Sequence, residues 1–188
     1  MALLPIDTPE VIDLVSTWLS REENAKWLDF GNGVRSLTPA ALKIMTQRGL
    51  HVLRVYTADP GNEPAGVAGL SNVDHRFKTA SAWAVLGVKR YGGTTTSAVS
   101  ELLTYGFTEL GLAAVNAWTV DINTPARRAL ERLGFKYVGR QRQCHYLDGE
   151  PHDRLLFDLL PREHEEAQER FRLQPSRIAI PRSASSRT

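Results

Sequence analysis

Apolar positions along the chain follow two different periods. From Val11 to Leu19 they recur at helical spacing, with Val11, Ile12, Leu14, Val15, Trp18 and Leu19 on one face. Asp7 or Thr8 can cap this helix, and Pro9 falls early in it, where a missing N–H costs little. A short polar helix is expected over Arg21 to Trp27, and Gly31-Asn32-Gly33 breaks the chain after it. Leu37-Thr38-Pro39 opens a further helix carrying Leu42, Ile44 and Met45, ended by Gly49.

The period then shortens. His51 to Thr57, Gly66 to Val73 and Ala80 to Val88 read as strands. The first ends in the turn-rich Asp59-Pro60-Gly61-Asn62, and the other two are joined by a polar loop, Asp74 to Thr79. Helical spacing returns over Thr94 to Leu110, through Val99, Leu102, Leu103, Phe107 and Leu110. A strand over Val115 to Val120 and a helix over Thr124 to Leu133, stopped by Gly134, follow. Two strands, Phe135 to Leu147 and Asp153 to Leu160, turn at Asp148-Gly149.

The order strand–loop–helix–strand in the middle implies a parallel crossover within a mixed sheet. Ligands of such sheets sit at strand C-terminal ends, beside helix N-termini. Residues 1–160 read as one domain. Residues 161–188 differ in kind: Pro161 to Arg172 is charged and compatible with a helix, and the Ser-, Arg- and Pro-rich remainder is expected to be disordered.

Composition narrows the function classes. The chain has 188 residues, 42% hydrophobic, and can bury one sizeable core. A net charge of +2 is too small to imply a nucleic-acid partner, and the Arg-rich tail lacks interleaved aromatics. The single cysteine, Cys144, excludes an internal disulfide and gives no metal cluster, and a buried, inert thiol is expected. No apolar run approaches the roughly 18 residues of a membrane span, and Met1 to Ile6 lacks a leader pattern. A cytoplasmic protein without a membrane partner is the expectation.

The segment Leu86-Gly87-Val88-Lys89-Arg90-Tyr91-Gly92-Gly93-Thr94-Thr95-Thr96 joins a strand to the longest helix. Its glycines let backbone approach a ligand, and the helix N-terminus presents unpaired N–H groups that suit an anion. Lys89, Arg90 and the threonines add charge and hydroxyl donors. Neither the mononucleotide nor the dinucleotide glycine fingerprint is present. The loop alone is equally compatible with a pyrophosphate site and with a plain helix-capping turn.

A second motif separates these readings. Arg90-Tyr91-Gly92-Gly93-Thr94-Thr95 resembles the phosphate loop of the GNAT superfamily of N-acetyltransferases, with Thr95 at a position usually Gly or Ala. Asn123-Thr124-Pro125-Ala126, the helix from Arg127 to Leu133 and Gly134-Phe135 resemble the family's next signature, at matching spacing. The resemblance is to the RimJ/RimL-like branch and spans roughly Pro64 to Leu160. It implies an α/β fold with a mixed, mostly antiparallel twisted sheet, whose central parallel strand pair splays into a cofactor cleft flanked by helices. It also implies acetyl-coenzyme A as cofactor. The pantetheine arm would lie on backbone near Val85, Leu86, Gly87 and Val88, with an oxyanion donor near Val85. The pyrophosphate would sit on Arg90, Tyr91, Gly92, Gly93, Thr94 and Thr95, and Asn123 would contact the arm or cap its helix. Homodimers are common in the family.

The implied activity is direct acetyl transfer to a primary amine, on a small molecule, an amino sugar or a protein N-terminus. The family's usual general acids fall at Leu130 and Ala126, neither of which can donate a proton. A non-catalytic acyl-CoA-binding or regulatory module is therefore the alternative. Candidate bases are Asp74 and His75 at the end of the third strand, then His145 beside Tyr146 on the penultimate strand. The competing reading of Asp74-His75-Arg76, and the one the sequence favours, is a solvated hairpin tip. Trp27, Asp29 and Phe30 are candidates for the acceptor wall, with Asp29 attracting a cation; the aromatics read otherwise as core.

Overall fold

A computed structural model describes residues 1–59 and 62–173. Its elements are β1 (Leu3–Pro5), α1 (Pro9–Ser20), α2 (Glu22–Ala25), α3 (Pro39–Gln47), β2 (His51–Ala58), β3 (Glu63–Asp74) and β4 (Thr79–Leu86). A 3-10 turn over Lys89–Tyr91 leads to α4 (Thr94–Thr108), β5 (Ala114–Val120), α5 (Thr124–Arg132), β6 (Lys136–Leu147), β7 (Glu150–Leu159) and α6 (Pro161–Leu173). The strands form one sheet in the order β1-β2-β3-β4-β5-β7-β6. Every pairing is antiparallel except β4 with β5. This is the mixed, helix-flanked sheet that the sequence predicts.

Each face has its own cover. Trp18 and Leu19 of α1 and Leu42 of α3 pack on Leu53, Val55, Val67 and Val85. Val99, Leu102 and Leu103 of α4 pack on Ala68, Leu70, Val115 and Phe157 from the other side. Alternation of side chains along each strand splits the core in this way. The helix starts follow local chemistry: Thr8 and Thr38 hydroxyls accept from Val11 N (3.3 Å) and Ala41 N (3.2 Å), with Pro in each first turn.

Several boundaries differ from the sequence pattern. β1 was not expected; it pairs at the sheet edge, Leu3 with Tyr56 and Pro5 with Arg54. Three residues are too few for a period to show. β3 and β7 begin earlier than Gly66 and Asp153, because their exposed polar ends still pair through backbone. β4 stops at Leu86 instead of Val88. The N–H groups of Gly87 and Val88 both donate to the Ala65 carbonyl (2.9 Å each), which turns the chain out of the strand. Gly87 is required there, since a Cβ would run into the Trp18 ring. Cys144 is exposed, which corrects the expectation of a buried thiol.

The charged stretch after Leu160 is docked over its helical part. His164 and Ala167 of α6 are buried, and His164 Nε2 lies 2.9 Å from Thr104 Oγ1 of α4. The disorder expected for the end of the chain, and part of the turn at Pro60-Gly61, fall outside the described residues. Among the described residues, no helix is long and apolar enough to cross a membrane.

One feature of the sheet opens a cleft in it. β4 and β5 pair only at Thr79/Ala114, Ala80/Val115 and Ser81/Asn116. Beyond Ser81, β4 keeps its partner β3 as far as Leu86, and β5 keeps its partner β7 as far as Val120. The two strands therefore part, and the sheet is open between them.

Candidate active site

The opening is a cavity of about 480 Å³ that reaches both faces of the sheet. Its β4 wall is a free strand edge. The N–H of Gly87 donates to β3, and backbone groups alternate in direction along a strand, so Val85 and Trp83 also point toward β3. Ala82, Ala84 and Leu86 therefore turn their N–H and C=O toward the gap that β5 has left. Buried backbone without a partner is costly, and an unpaired edge is a template for an extended amide-bearing ligand. Among the four residues expected to carry a pantetheine arm, only Leu86 faces this gap. Val85 points to β3 and its carbonyl accepts from Tyr56 Oη (3.3 Å), while Gly87 and Val88 spend their N–H groups on Ala65. Ala82 and Ala84 are the residues that the sequence reading missed, and the strand register is the signal that identifies them.

The edge leads into the loop before α4. Gly93 stands at the N-cap of α4 in a helical conformation, and a Cβ placed there would meet nothing. The space beside Gly93 is therefore open, next to the first turn of α4, whose N–H groups have no intrahelical partners. Thr94 Oγ1 donates to Tyr91 O (2.7 Å), closing the turn. Thr95 does not crowd this space. Its hydroxyl lies 2.8 Å from the buried Tyr56 hydroxyl, on the inner side of the helix. Burial pushes the Tyr56 phenol up to about 12, with the Thr95 hydrogen bond opposing, so Tyr56 stays protonated. Tyr56 can reach Val85 and Thr95 because residue 66 is glycine, where a Cβ would strike its hydroxyl. Arg90 and Tyr91 both bond the Glu63 carboxylate, and Lys89 pairs with Glu23 at 2.6 Å.

Across the gap, Asn123 caps α5, its Oδ1 accepting from Ala126 N (3.2 Å), and also lines the cavity. Ala126 and Leu130 line it as well. The positions where the resemblance implies a proton donor are thus present in the cleft and apolar.

On the α1 side the cavity is walled by aromatics. Trp27, Asp29 and Phe30 all border it, and Phe30 meets Trp83 edge-on at 5.3 Å. Asp29 has a different role from the cation attractor expected of it. Its Oδ1 accepts from Gly31 N (2.8 Å) and Gly33 N (3.1 Å), and its Oδ2 accepts from Arg154 at 2.7 Å. Burial pulls the carboxyl pKa up, but the Arg154 hydrogen bond, the loop amides and the guanidinium charge outweigh it and hold the group below its usual value. Asp29 therefore fastens its own loop to β7. The Arg154 guanidinium lies 4.1 Å over the Trp118 ring, and Arg154 borders the cavity.

His145 is in this network but is not free to act as a base. It is 3% exposed. Its Nε2 lies 2.7 Å from the Lys26 carbonyl, which can only accept, so Nε2 carries the proton. Its Nδ1 then accepts from Arg154 (3.1 Å). Burial depresses its pKa, with the Arg154 charge acting the same way and the Lys26 carbonyl opposing. Asp74 and His75 lie in the β3–β4 hairpin, at the end of β4 where it is still paired with β5. Asp74 Oδ1 accepts from Arg76 N and Phe77 N (2.8 Å each), and His75 is exposed. The structure brings neither to the cleft. His51, which the sequence reading passed over as a strand residue, does border it. Among the described residues its Nδ1 is buried without a hydrogen-bond partner, and burial lowers its pKa, with Arg48 adding to the shift.

Comparison with known proteins agrees with this geometry. Residues 2–136 match the acetyltransferase (GNAT) domain family. A Bacillus licheniformis protein named uncharacterized N-acetyltransferase p20 is 33% identical over 104 residues, 55% of this chain and 58% of that one. The chain spans about half the length of the curated relatives it matches. Mycobacterium smegmatis RimJ, solved in complex with CoA-disulfide, superposes with a TM-score of 0.69 at 22% identity, covering 86% of this chain and 82% of that one. The spermidine N-acetyltransferase from Vibrio cholerae, solved with CoA and spermine, gives 0.75 at 14% identity, covering 87% and 97%. With a family match across most of the chain, and a parallel strand pair splayed beside a glycine loop, this chain belongs to the GNAT acetyltransferase family.

Proposed function

We propose that the chain is an acetyl-CoA-dependent N-acetyltransferase that moves an acetyl group directly to a primary amine. One observation carries the reading above the others: the unpaired β4 edge from Ala82 to Leu86 leads, through the short turn over Gly87 to Gly93, into the N-terminus of α4. The residues fit the cofactor. The free strand amides suit the two amides of a pantetheine arm. The open ground at Gly93, the first-turn N–H groups of α4 and the side chain of Arg90 suit a pyrophosphate. Bound there, acetyl-CoA supplies the activated acetyl group.

The protein's own part follows from the positions of its groups. The Ala84 N–H faces the gap and is free to donate to the thioester oxygen. This shifts the expected donor by one residue from Val85. The aromatic wall excludes water and receives the amine. His51 is neutral at pH 7 and takes the amine proton through water. It is level with Ser71 and Ser81 but two strand spacings, roughly 10 Å, across the sheet from Ser81, itself two residues or roughly 7 Å along β4 from Trp83, so the proton passes along a chain of waters. The acceptor is a small-molecule amine, an amino sugar or a protein N-terminus.

A saturating level of acetyl-CoA, about 100 times its Kd, stabilises the folded state by about 2.7 kcal/mol and raises the melting temperature. Thiol release with an amine panel then reads the transfer. No thermal shift at millimolar cofactor overturns the proposal. A non-catalytic acyl-CoA-binding module is the second reading, favoured by the apolar Ala126 and Leu130 in the cleft. It predicts the thermal shift without thiol release from any amine.

A further inference from the structure

The acceptor half of the cleft holds one guanidinium, and its geometry points to what it reads. Arg154 Nη2 is fully used, donating to Asp29 Oδ2 at 2.7 Å and to His145 Nδ1 at 3.1 Å. Nε is buried without a partner. Among the described residues Nη1 has no acceptor either, and the side chain borders the cavity. The guanidinium cannot swing away. Asp29 fixes one end, His145 is itself anchored on Lys26 O, and Trp118 lies beneath the plane. A rigid donor with unspent N–H groups favours a ligand that brings an accepting oxygen.

The surroundings define the rest of the ligand. Trp27, Phe30, Trp83 and Trp118 offer flat apolar surface. Asp29, the one carboxylate bordering the cavity among the described residues, is already neutralised by Arg154 and two backbone amides. A polyamine would find no free anion here and would face a fixed cation. An aromatic body stacks on these walls and presents its oxygen to Nη1.

Resting on the acetyltransferase reading, we propose that Arg154 is the specificity-determining residue of the acceptor pocket, selecting aromatic primary amines that carry a carbonyl or carboxyl oxygen close to the amine. That chemistry is shared by a free aromatic amino acid derivative and by an aromatic residue at a peptide N-terminus.

The test compares acceptors that differ only in the oxygen. Full-length protein with acetyl-CoA is offered L-phenylalaninamide, 2-phenylethylamine, a short peptide beginning with Phe, and spermidine, with thiol release as readout. The expected result is a kcat/KM for the amide roughly 10- to 100-fold above that for phenylethylamine, with spermidine lowest. Arg154→Lys keeps the charge and loses the planar donor, so it is expected to collapse the amide-to-phenylethylamine ratio to within about threefold. A purely structural role would lower both acceptors and leave the ratio standing, which overturns the assignment. The wild-type ratio decides even where the variant fails to fold: equal use of amide and phenylethylamine, preference for spermidine, or no turnover of any of the four overturns the inference. A thermal shift with acetyl-CoA together with thiol release from an amine of another class separates that failure from failure of the acetyltransferase reading, which gives either no shift or a shift with no thiol release from any amine. The peptide arm tells the two sources apart, since use of the amide with exclusion of the peptide assigns a small molecule, and use of both assigns a chain end.

Discussion

The two halves of the cleft are made of different material. On the α4 and α5 side the walls are small side chains and bare backbone: Ala82, Ala84, Ala117, Ala126 and the N-terminus of α4. On the α1 side they are large, interlocked side chains: Trp27, Phe30, Trp83, Trp118, and Arg154 held by Asp29 and His145. The first half recognises by position of the main chain, so many sequences can build it. The second recognises by side chains from β4, β5, β6, β7 and the loop after α2, so it can diverge freely while the first half stays fixed. A family can in this way keep one cofactor and change its acceptor.

The largest effect expected is on the backbone half. Gly93→Asp places a carboxylate at the start of α4, where a side chain meets nothing and the helix dipole favours an anion. Folding stability should hold or rise slightly, while coenzyme A affinity, read by calorimetry, falls roughly 100-fold through charge repulsion at the pyrophosphate. Unchanged affinity would show that the cofactor lies elsewhere. Next comes His51→Gln. It keeps a polar side chain but loses the base, and kcat/KM should fall about 30-fold with cofactor affinity unchanged. Because burial holds the His51 pKa below 6.5, wild-type activity should persist down to slightly acid pH before its acid limb begins. Retention of that limb in the variant would remove His51 from the mechanism.

The same contrast explains what could be read from sequence. The backbone half announces itself locally: Gly92-Gly93 before a run of threonines, then Asn123 and Gly134-Phe135, each motif contiguous and tied to a helix terminus. The helix caps at Thr8, Thr38 and Asn123 were legible for the same reason. The register of β4 was not, because whether Val85 or Ala84 faces the gap depends on where Gly87 and Val88 spend their N–H groups. The acceptor half was legible only in Trp27, Asp29 and Phe30, which are adjacent in sequence. Arg154 sits in an unremarkable strand 125 residues from its partner Asp29, and His51 looks like the first residue of any strand. His145 was singled out by type, but its two committed nitrogens are visible only in three dimensions.

Breaking the side-chain half at its fastener gives the third effect. Asp29→Ala removes the partner of a half-buried guanidinium and two loop amide contacts, costing about 2 kcal/mol of stability. The acceptor KM should rise about tenfold while coenzyme A affinity stays within twofold, and a KM that does not move would remove Asp29 from the acceptor wall. Acid should loosen the fold more gradually. His51, His145 and His164 all have pKa values lowered by burial, so between those values and 6.5 the unfolded chain binds more protons than the native one. Stability is then fully present above pH 6.5 and declines as pH falls below it, measurable as a falling melting temperature. A flat profile from pH 7 to 5 would mean that these rings are solvated in the native state.

The smallest effect lies at the seam where the backbone half meets charge. Glu63, the first residue of β3, bonds both Arg90 and Tyr91, and the Tyr91 and Arg90 hydrogen bonds hold its carboxyl below the usual range. If Arg90 takes the pyrophosphate as proposed, the carboxylate competes with it for the same guanidinium. Glu63→Gln should therefore release Arg90 and tighten coenzyme A binding, but only two- to threefold, because the pair is exposed and solvent screens it. Raising salt should weaken binding in both proteins and shrink the difference between them, since the competition is electrostatic. If the variant binds more weakly at every salt concentration, Glu63 instead orients Arg90 for the phosphate. The backbone half would then depend on a side-chain scaffold of its own, and the contrast between the two halves would be one of degree.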